Sequence, residues 1–266
     1  MIDGSTQSAG LRLEAIRTLR IEAWRRFAAI AAGEEPYPNI VYSGALLSSV
    51  RARYMACQRG AMFLSMHHST YFLMLLLAAD FGLPVKVVTS TEGVEFWRAN
   101  QTLFPNLVTF TSKLSARDLA DCRRQTCLPF FMFDTHIPNL DETYAPFRGR
   151  SIRLSASWAR LAARLNLDVI AIAVDHAPDH ARVMMEHLPG SEEPYDLVLA
   201  AAAQFDDFLG EDDTRWEMAP IFTSGACLGD WSDIAYQAEL LRLAGSDLTS
   251  RRTLVALLKK EARLVA

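Results

Sequence analysis

Apolar and polar positions along this chain form two repeating patterns, short apolar runs and longer segments with helical spacing. The run at residues 61–66 predicts a buried strand, and the apolar segment after residues 67–68 predicts a helix that ends near residue 81. The other strands are predicted at residues 85–89, 107–110, 128–133, 169–174 and 182–188. The other helices are predicted at residues 11–32, 44–58, 92–103, 115–126, 151–165, 194–209, 230–244 and 249–264, with Ser115 and Ser151 as N-caps. This alternation predicts an α/β fold with a mostly parallel sheet flanked by helices.

The helix predicted at residues 11–32 is amphipathic, and its polar side is rich in arginine. A basic amphipathic helix packs on its own domain or docks on a membrane surface or a partner. Gly33 and the Pro-Tyr-Pro segment at residues 36–38 end the pattern. We therefore divide the chain into a helical extension at residues 1–40 and an α/β domain at residues 41–266.

A polar segment follows the strand predicted at residues 128–133. It begins at Asp134 and runs to residue 150, and its Pro, Asn and Gly content predicts a loop without regular structure. Long loops in compact domains are usually functional. The segment is therefore a candidate part of a site.

Composition narrows the function classes. The chain has 266 residues, of which 50% are hydrophobic and 22% are charged, so it is long enough to bury a full core. A net charge of −4 and the absence of a nucleic-acid-binding motif exclude DNA and RNA as expected partners. The longest apolar stretch, residues 71–79, is too short to cross a bilayer, and the four cysteines have no paired spacing. We expect a cytoplasmic protein, free or peripheral at the inner face of the membrane.

Several familiar chemistries have no motif in this chain. It contains no Gly-x-Ser-x-Gly elbow, no P-loop, no Gly-x-Gly-x-x-Gly fingerprint and no His-Glu-x-x-His pair. His176 and His180 have a spacing that suits a metal on a helix, but Pro178 between them is typical of a turn. No metal and no bound cofactor are expected.

The candidate chemistry lies where the strand at residues 61–66 ends. His67 and His68 follow that strand directly, and the crevice beyond the carboxyl end of a strand is where open α/β sheets bind ligands. The alternative interpretation is that a histidine at the start of this apolar helix is a hydrogen-bonded structural residue without a chemical role. Together with Asp134 after another strand, a histidine base can activate a hydroxyl or amine for attack on a thioester. That chemistry is acyl transfer without a covalent enzyme intermediate.

Three arginines, Arg148, Arg150 and Arg153, lie near the start of the helix predicted at residues 151–165. A helix N-terminus with guanidinium groups beside it can receive a phosphate. The alternative is a solvated basic loop.

The order of these elements resembles the lysophospholipid acyltransferase superfamily. A strand, His67, an apolar helix, two α/β units, a strand ending in Asp134 and then Pro-Phe-Arg-Gly at residues 146–149 follow each other as in that superfamily. The closer resemblance is to the branch of late acyltransferases of lipid A biosynthesis. In that branch a strand ends in Pro-Asp, Pro-Phe-x-Gly follows, and a Leu-Ala helix leads to an apolar strand. The counterparts here are Phe133-Asp134, residues 146–149, Leu161-Ala162 and the strand at residues 169–174.

Trp216 is similar to a Trp near the end of the domain in that branch, so the resemblance covers about residues 61–216. It implies a glycerolipid acyltransferase-like α/β sandwich. It also implies an acyl thioester donor, carried on an acyl carrier protein or coenzyme A, and a hydroxyl or amine acceptor that is a small molecule or carrier-bound. The site residues that it implies are His67, His68 and Asp134 for catalysis and Phe72, Arg148, Gly149, Arg150 and Ser157 for substrate binding.

The chain departs from the family pattern at the catalytic motif. The family has His-x-x-x-x-Asp or Glu, whereas Phe72 and Leu73 stand five residues after His67 and His68. Ser157 replaces a family Gly, and Ala171 replaces a family Pro. The family's N-terminal membrane anchor is replaced by the basic helix at residues 11–32, so the acceptor is soluble or the chain docks on the membrane.

Two explanations of the missing acid follow. In the first, the protein is an active acyltransferase in which His67 is the base and Asp134 orients it. In the second, it is a catalytically inactive module that binds acyl groups or carrier proteins. An acidic carrier protein would suit the arginines of residues 148–153 or the pair Arg123 and Arg124.

A third hypothesis is a cysteine-dependent transferase. Cys122 and Cys127 flank the arginines at residues 123–124, which can lower the pKa of a thiol. They fall on a predicted helix and its end, away from a strand-end crevice. Cys57 and Cys227 are the other candidates for this chemistry.

Overall fold

The fold is that of a computed structural model, which describes residues 18, 22, 25–26, 29–30, 32–35, 39–42, 60–68, 82, 84–89, 91–99, 107–134, 142–148, 150–176, 180–210 and 216. The strands in this part of the chain are β1 (Asn39–Tyr42), β2 (Ala61–Ser65), β3 (Val85–Val88), β4 (Val108–Thr111), β5 (Leu128–Met132), β6 (Glu142–Phe147), β7 (Arg150–Ser155), β8 (Asp168–His176) and β9 (His180–His187). The helices are α1 (Thr91–Ala99), α2 (Ala116–Arg123), α3 (Ser157–Leu165) and α4 (Pro194–Leu209).

The main sheet is mostly parallel. Its described strands lie in the order β1-β9-β8-β2-β5-β3-β4, and neighbouring strands are parallel at every step except between β8 and β9. Strands β6 and β7 form a separate antiparallel hairpin. The predicted α/β fold with a mostly parallel sheet is therefore confirmed.

Strand β2 lies in the interior of the sheet, between β8 and β5. The chain leaves β2 toward β3, on one side, and it leaves β5 toward β8, on the other side. Adjacent parallel strands whose connections leave in opposite directions open a crevice at their carboxyl ends. The topology thus marks the ends of β2 and β5 as the place for a ligand.

The two faces of the sheet are packed differently near that crevice. Side chains alternate between the faces along each strand, so Met62 and Leu64 of β2 point to the opposite face from Phe63. The Met62 and Leu64 face is covered by the β6-β7 hairpin and by α3 and α4, and its fully buried large side chains include Trp158, Phe133, Phe147, Phe205 and Trp216. We call this side the packed face of the sheet.

Helix α2 begins as the sequence predicts. Ser115 is its N-cap, and the Ser115 hydroxyl accepts a hydrogen bond from the backbone N–H of Asp118 while the Asp118 carboxylate accepts one from the backbone of Ser115. This reciprocal pair is a capping box, which satisfies amide donors that the first turn of a helix leaves unpaired. The bounds predicted for α4, residues 194–209, are also confirmed.

The segment predicted as an irregular loop contains a strand, so that prediction is wrong for residues 142–147. Strand β6 pairs with β7 along its whole length, and Ala145 and Phe147 are buried on either side of the exposed Pro146. The period-two burial pattern outweighs the local turn propensity, because the buried side chains gain contact with the core of the packed face.

The helix predicted at residues 151–165 begins later than expected. Residues 150–155 form β7, and the helix α3 starts at Ser157 with Ala156 as an N-cap that makes no side-chain hydrogen bond. Ser151 is therefore not an N-cap. Ile152 and Leu154 alternate with polar residues, a period of two that suits the hairpin, and the positive φ of Arg148 turns the chain between β6 and β7.

The described residues between positions 18 and 32 are helical, in agreement with the amphipathic helix predicted there. Strand β1 joins the main sheet from Asn39, just ahead of the predicted domain boundary at residue 41, and the division into extension and domain stays a prediction. The helix predicted after residues 67–68 and the helices predicted at residues 44–58, 230–244 and 249–264 lie outside the described residues. In the described part of the chain, no helix has both the length and the apolar character that a membrane crossing requires.

Candidate functional site

The register of two neighbouring strands brings His67 and Asp134 together. Ser65 at the end of β2 is paired with Met132 at the end of β5, and the backbone N–H of Phe133 continues the ladder by donating to the carbonyl of Ser65. His67 and Asp134 each lie two positions beyond that registered pair. Parallel strands with equal overhangs present the two side chains at the same edge of the sheet.

The Asp134 carboxylate receives three hydrogen-bond donors. Nδ1 of His67 lies 2.8 Å from Oδ1, and the backbone N–H of His67 donates to both oxygens at 3.0 and 3.1 Å. The indole Nε1 of Trp216 donates to Oδ2 at 2.8 Å. The side chain of Asp134 is 0% exposed, whereas that of His67 is 27% exposed. The pair therefore has a buried anchor and an imidazole that reaches the surface of the site.

The surroundings of Asp134 favour its charged form. Burial by itself raises the pKa of this carboxyl, but the charge and the hydrogen bonds of His67 and the indole N–H of Trp216 outweigh it, so the pKa lies below its ordinary value. An ionised carboxylate can only accept hydrogen bonds. The proton in the contact with His67 therefore sits on Nδ1, which makes Nε2 the basic nitrogen of the neutral ring.

An apolar pocket lies beside His67, on the face of the sheet opposite the packed face. Its volume, with the open mouth included, is about 360 Å³. Trp97 of α1 stacks on Phe110 of β4, with ring centroids 5.4 Å apart and an interplanar angle of 16°. The residues that line the pocket are His67, Val87, Val88, Thr89, Trp97, Phe110, Phe130 and Met132. The pocket thus extends from the imidazole beyond the end of β2 across β5 and β3 to β4.

His68 has a different environment from His67. It is 1% exposed, its ring lies 5.6 Å from the ring of Phe208 on α4, and its backbone forms an antiparallel bridge with Trp216. Of the two histidines, only His67 contributes to the pocket lining. The structure brings Asp134 together with His67 and packs His68 into the interior.

Trp216 is held on the packed face. Its ring meets that of Phe147 edge-on, at 4.9 Å between centroids and 81° between planes. Phe133, the residue before Asp134, packs against both Phe147 and Phe205. The aromatic cluster therefore fixes the indole that reaches Asp134.

Arg148 does not lie at a helix N-terminus, which corrects the premise for a phosphate site there. It occupies the turn between β6 and β7 and donates from its guanidinium to the Asp206 carboxylate at 3.1 Å and to the carbonyl of Gly210. Both acceptors belong to the C-terminal end of α4, where the helix dipole favours a cation. The contact joins the hairpin to α4.

Of the other predicted substrate-binding residues, Ser157 does not line the pocket beside His67, and the rest lie wholly or in their side chains outside the described residues. Ser157 is exposed at the start of α3, and its hydroxyl lies 2.9 Å from that of Ser155. Arg150 belongs to β7, and its side chain is outside the described part of the chain. Phe72 and Gly149 also lie outside it.

The two described cysteines are buried in the interior. Cys122 lies on α2 and Cys127 just before β5, and neither lines the pocket beside His67. The hydrogen bond with Cys127 and the burial of the thiol raise the pKa of Cys122. These surroundings oppose the formation of a thiolate at Cys122. Cys57 and Cys227 lie outside the described residues.

Arg123 and Arg124 are exposed at the C-terminal end of α2. The chain enters β5 only a few residues later, so these arginines lie near the amino end of that strand, whereas His67 and Asp134 lie beyond carboxyl ends. Arg124 also forms an ion pair with Asp121 at 2.8 Å. Within the part of the chain that the structure describes, no group of three or more His, Cys, Asp or Glu residues is arranged to hold a metal ion.

The sequence pattern identified His67 and Asp134 as candidates but missed the pocket lining. The sequence predicts only buried strands for Val87, Val88 and Phe110 and only a helix for Trp97. Val87, Val88 and Phe110 lie near the carboxyl ends of β3 and β4, on the same side of β2 as β5. This signal can be read only once the strand order is known. The family resemblance points to Trp216, but it does not predict the hydrogen bond to Asp134.

No protein-family model matches the chain, and a search of curated proteins found no match. The resemblance to acyltransferases therefore rests on the residues quoted above.

Proposed function

We propose that this protein is an acyltransferase that moves an acyl group from a thioester to a hydroxyl or amine acceptor, with His67 as general base. The observation that carries the proposal is the 2.8 Å contact between Nδ1 of His67 and the buried Asp134 carboxylate, beside an apolar pocket. The family resemblance supplies the donor class, an acyl group on an acyl carrier protein or coenzyme A.

The proposed reaction uses Nε2 of His67. As the acceptor oxygen or nitrogen attacks the thioester carbonyl, its proton passes to Nε2 and a tetrahedral intermediate forms. When the carbon–sulfur bond breaks, the leaving thiolate takes the same proton from the imidazolium. Asp134 stabilises the imidazolium in between and holds the ring in place, and base catalysis of this kind contributes about 10²–10⁴-fold to the rate.

In this proposal, Asp134 takes the place of the motif acid that orients the histidine in the family. Phe72 stands where the resemblance places that acid. Asp134 reaches His67 from the neighbouring strand instead of from the next turn of a helix, and the hydrogen bond to Nδ1 leaves Nε2 as the base. The chain thereby supplies a carboxylate partner for the imidazole by another route.

The pocket beside His67 supports an apolar acyl group as the part of the donor that is bound. Its lining is mostly aliphatic and aromatic, with His67 and Thr89 as the polar residues. Burial of each CH₂ group of an acyl chain there would contribute about 0.8 kcal/mol to binding. The stacked pair of Trp97 and Phe110 is the far wall, so we expect it to limit the length of the chain.

The remaining parts of the proposal concern the cellular location, the acceptor and the partner protein. We propose a cytoplasmic enzyme that acts on a small-molecule or carrier-bound acceptor and is peripheral to the membrane when the amphipathic segment at residues 11–32 docks there. A carrier protein is the proposed donor partner. The alternative function, a binding module without catalysis, is favoured by one observation, the absence of an acid at the motif position of Phe72 and Leu73.

The test is intact-mass spectrometry of acyl carrier protein loaded with a panel of acyl groups and incubated with the protein and candidate acceptors. We expect the wild type to remove the acyl group, the variant His67→Ala to lose this activity about 10²–10⁴-fold, and the variant His187→Gln to behave as the wild type. His187 is an exposed histidine on β9 and serves as the matched control. Equal turnover by His67→Ala and wild type contradicts the role of His67, and binding of the loaded carrier without turnover by any variant identifies the binding module.

A further inference from the structure

One buried side chain, Trp216, connects the two strand ends that carry the candidate site. Its indole Nε1 donates to Oδ2 of Asp134 at 2.8 Å, beyond β5. Its backbone forms an antiparallel bridge with His68, beyond β2 and next to His67 in the chain. A displacement of Trp216 would therefore act on both partners of the imidazole–carboxylate pair.

The orientation of the Asp134 carboxylate plane depends on the hydrogen bonds that the carboxylate accepts. The terminal torsion of an Asp side chain is soft and close to two-fold. In this site each oxygen has its own side-chain donor, because Oδ1 faces Nδ1 of His67 and Oδ2 faces Nε1 of Trp216. The backbone N–H of His67 lies almost equally far from both oxygens, so it does not select one of them.

The indole is itself held in one orientation. Trp216 is 1% exposed, and Phe147 meets its ring edge-on at 4.9 Å. Phe147 in turn contacts Phe133, whose backbone leads into Asp134. The donor and the carboxylate are thus supported by one aromatic cluster on the packed face.

We propose that Trp216 is a positioning residue that fixes the rotation of the Asp134 carboxylate, so that Oδ1 keeps the proton of His67 on Nδ1. The consequence is that Nε2 keeps its lone pair while the ring is neutral, as its proposed role as base requires. The inference about rate rests on the proposed acyl transfer, but the inference about the proton position concerns the protein alone.

A second buried tryptophan provides the matched control. Trp158 of α3 belongs to the same core cluster and is 2% exposed. No hydrogen-bond acceptor contacts its Nε1 among the described residues. The change Trp158→Phe therefore removes a similar volume from the packed face as Trp216→Phe does, without removing a donor to Asp134.

The experiment measures the tautomer of His67 by long-range ¹H–¹⁵N correlation spectra of the ¹⁵N-labelled protein, at a pH where the ring is neutral. The signal of His67 is assigned by its loss in His67→Gln. We expect the Nδ1–H form in the wild type and in Trp158→Phe, and a mixture of both tautomers in Trp216→Phe. In carrier deacylation, Trp216→Phe should lower kcat about tenfold with KM unchanged, which is the effect of one hydrogen bond to a charged group.

A shape-matched replacement keeps the test decisive if Trp216→Phe does not fold. Benzothienylalanine at position 216 preserves the ring system and lacks only the N–H, and it should give the same mixture of tautomers. The proposal is overturned if the protein with benzothienylalanine at position 216 keeps the wild-type tautomer of His67. It is also overturned if Trp158→Phe and Trp216→Phe change the tautomer equally, or if His67 of the wild type carries its proton on Nε2. A tautomer shift in a protein that transfers no acyl group would support the positioning role and refute the proposed function.

Discussion

Asp134 and Asp118 are both buried and both contact a basic side chain, but the two basic side chains differ in the chemistry that they can perform. Asp134, beyond the carboxyl end of β5, meets Nδ1 of His67 at 2.8 Å. Asp118, in the first turn of α2, meets Nζ of Lys86 at 2.6 Å. In both cases the pKa of the carboxyl lies below its ordinary value. A short contact with a basic side chain and a lowered pKa of the carboxyl therefore do not identify a site by themselves.

The partner and the surroundings make the difference. The hydrogen bond with Asp118 raises the pKa of Lys86 from an ordinary value that is already 10.5, so that pair exchanges no proton near neutral pH. An imidazole titrates at about 6.5 in water and can accept and return a proton. His67 also borders an apolar pocket, whereas the oxygens of Asp118 complete the capping box with Ser115. The proposed chemistry therefore belongs to the pair of His67 and Asp134, and the pair of Lys86 and Asp118 contributes to the stability of α2.

The two aspartates should differ most in how their replacement by asparagine changes the rate of acyl transfer. Asp134→Asn should lower the rate of carrier deacylation about 10²–10⁴-fold, because an amide does not hold the proton on Nδ1 of His67 or stabilise the imidazolium. Asp118→Asn should stay within about twofold of the wild type. The measurement is initial rate by intact mass. Comparable losses in the two variants would remove the distinction that we draw.

The second effect separates them by stability. Asp118→Ala breaks the capping box of α2 and should lower the free energy of unfolding by about 1–2 kcal/mol, measured by urea titration. Ser115→Ala should have a similar effect, because it removes the other half of the box. The control Asp121→Ala, which removes an exposed ion pair on the same helix, should cost about 0.5 kcal/mol. A larger loss in the control than in Asp118→Ala contradicts the assignment.

The third effect is a pH dependence. The hydrogen bond from Lys86, followed by those from Ser115, outweighs the effect of burial and lowers the pKa of Asp118 from 3.8 to about 2. A carboxyl with a lowered pKa contributes stability that is fully present above its ordinary pKa and is lost as pH falls toward the folded value. The stability difference between wild type and Asp118→Asn should therefore shrink between about pH 4 and pH 2. A difference that stays constant over this range in acid unfolding contradicts the role of the ion pair.

The smallest effect concerns Lys86. The side chain is 31% exposed, so Lys86→Met should cost at most about 1 kcal/mol, less than Asp118→Ala, because the capping box stays intact. Lys113→Met removes an exposed lysine and serves as the control, with an expected change within about 0.5 kcal/mol. The measurement is again urea unfolding. A cost for Lys86→Met above that for Asp118→Ala would place the stability in the ion pair and not in the cap.

Much of the fold follows from local patterns in the sequence. The apolar runs of β2, β3, β5 and β8 and the helical spacing of α4 identify these elements, because burial of one face or both leaves a periodic record in the chain. The capping residue Ser115 is also readable, since its partner Asp118 lies within the same turn.

The hairpin shows where local patterns fail. Residues 142–155 combine turn-forming residues with a period of two, and the sequence alone led to a loop and an early helix. Each strand of the hairpin depends on the other strand and on the core that buries Phe147 and Leu154. Such stabilisation comes from residues distant in the chain, so propensity within a short window cannot contain it.

The amino-acid sequence is sufficient to identify the residue types of the candidate site and their placement after strands. His67 and Asp134 could be chosen because strand ends are readable from apolar runs. Three features emerge only from the folded chain. Strands β2 and β5 are neighbours in matching register, His67 rather than His68 lines the pocket, and Trp216 reaches Asp134. They do so because a 2.8 Å contact between residues 67 positions apart depends on strand order and register, which many long-range contacts set together.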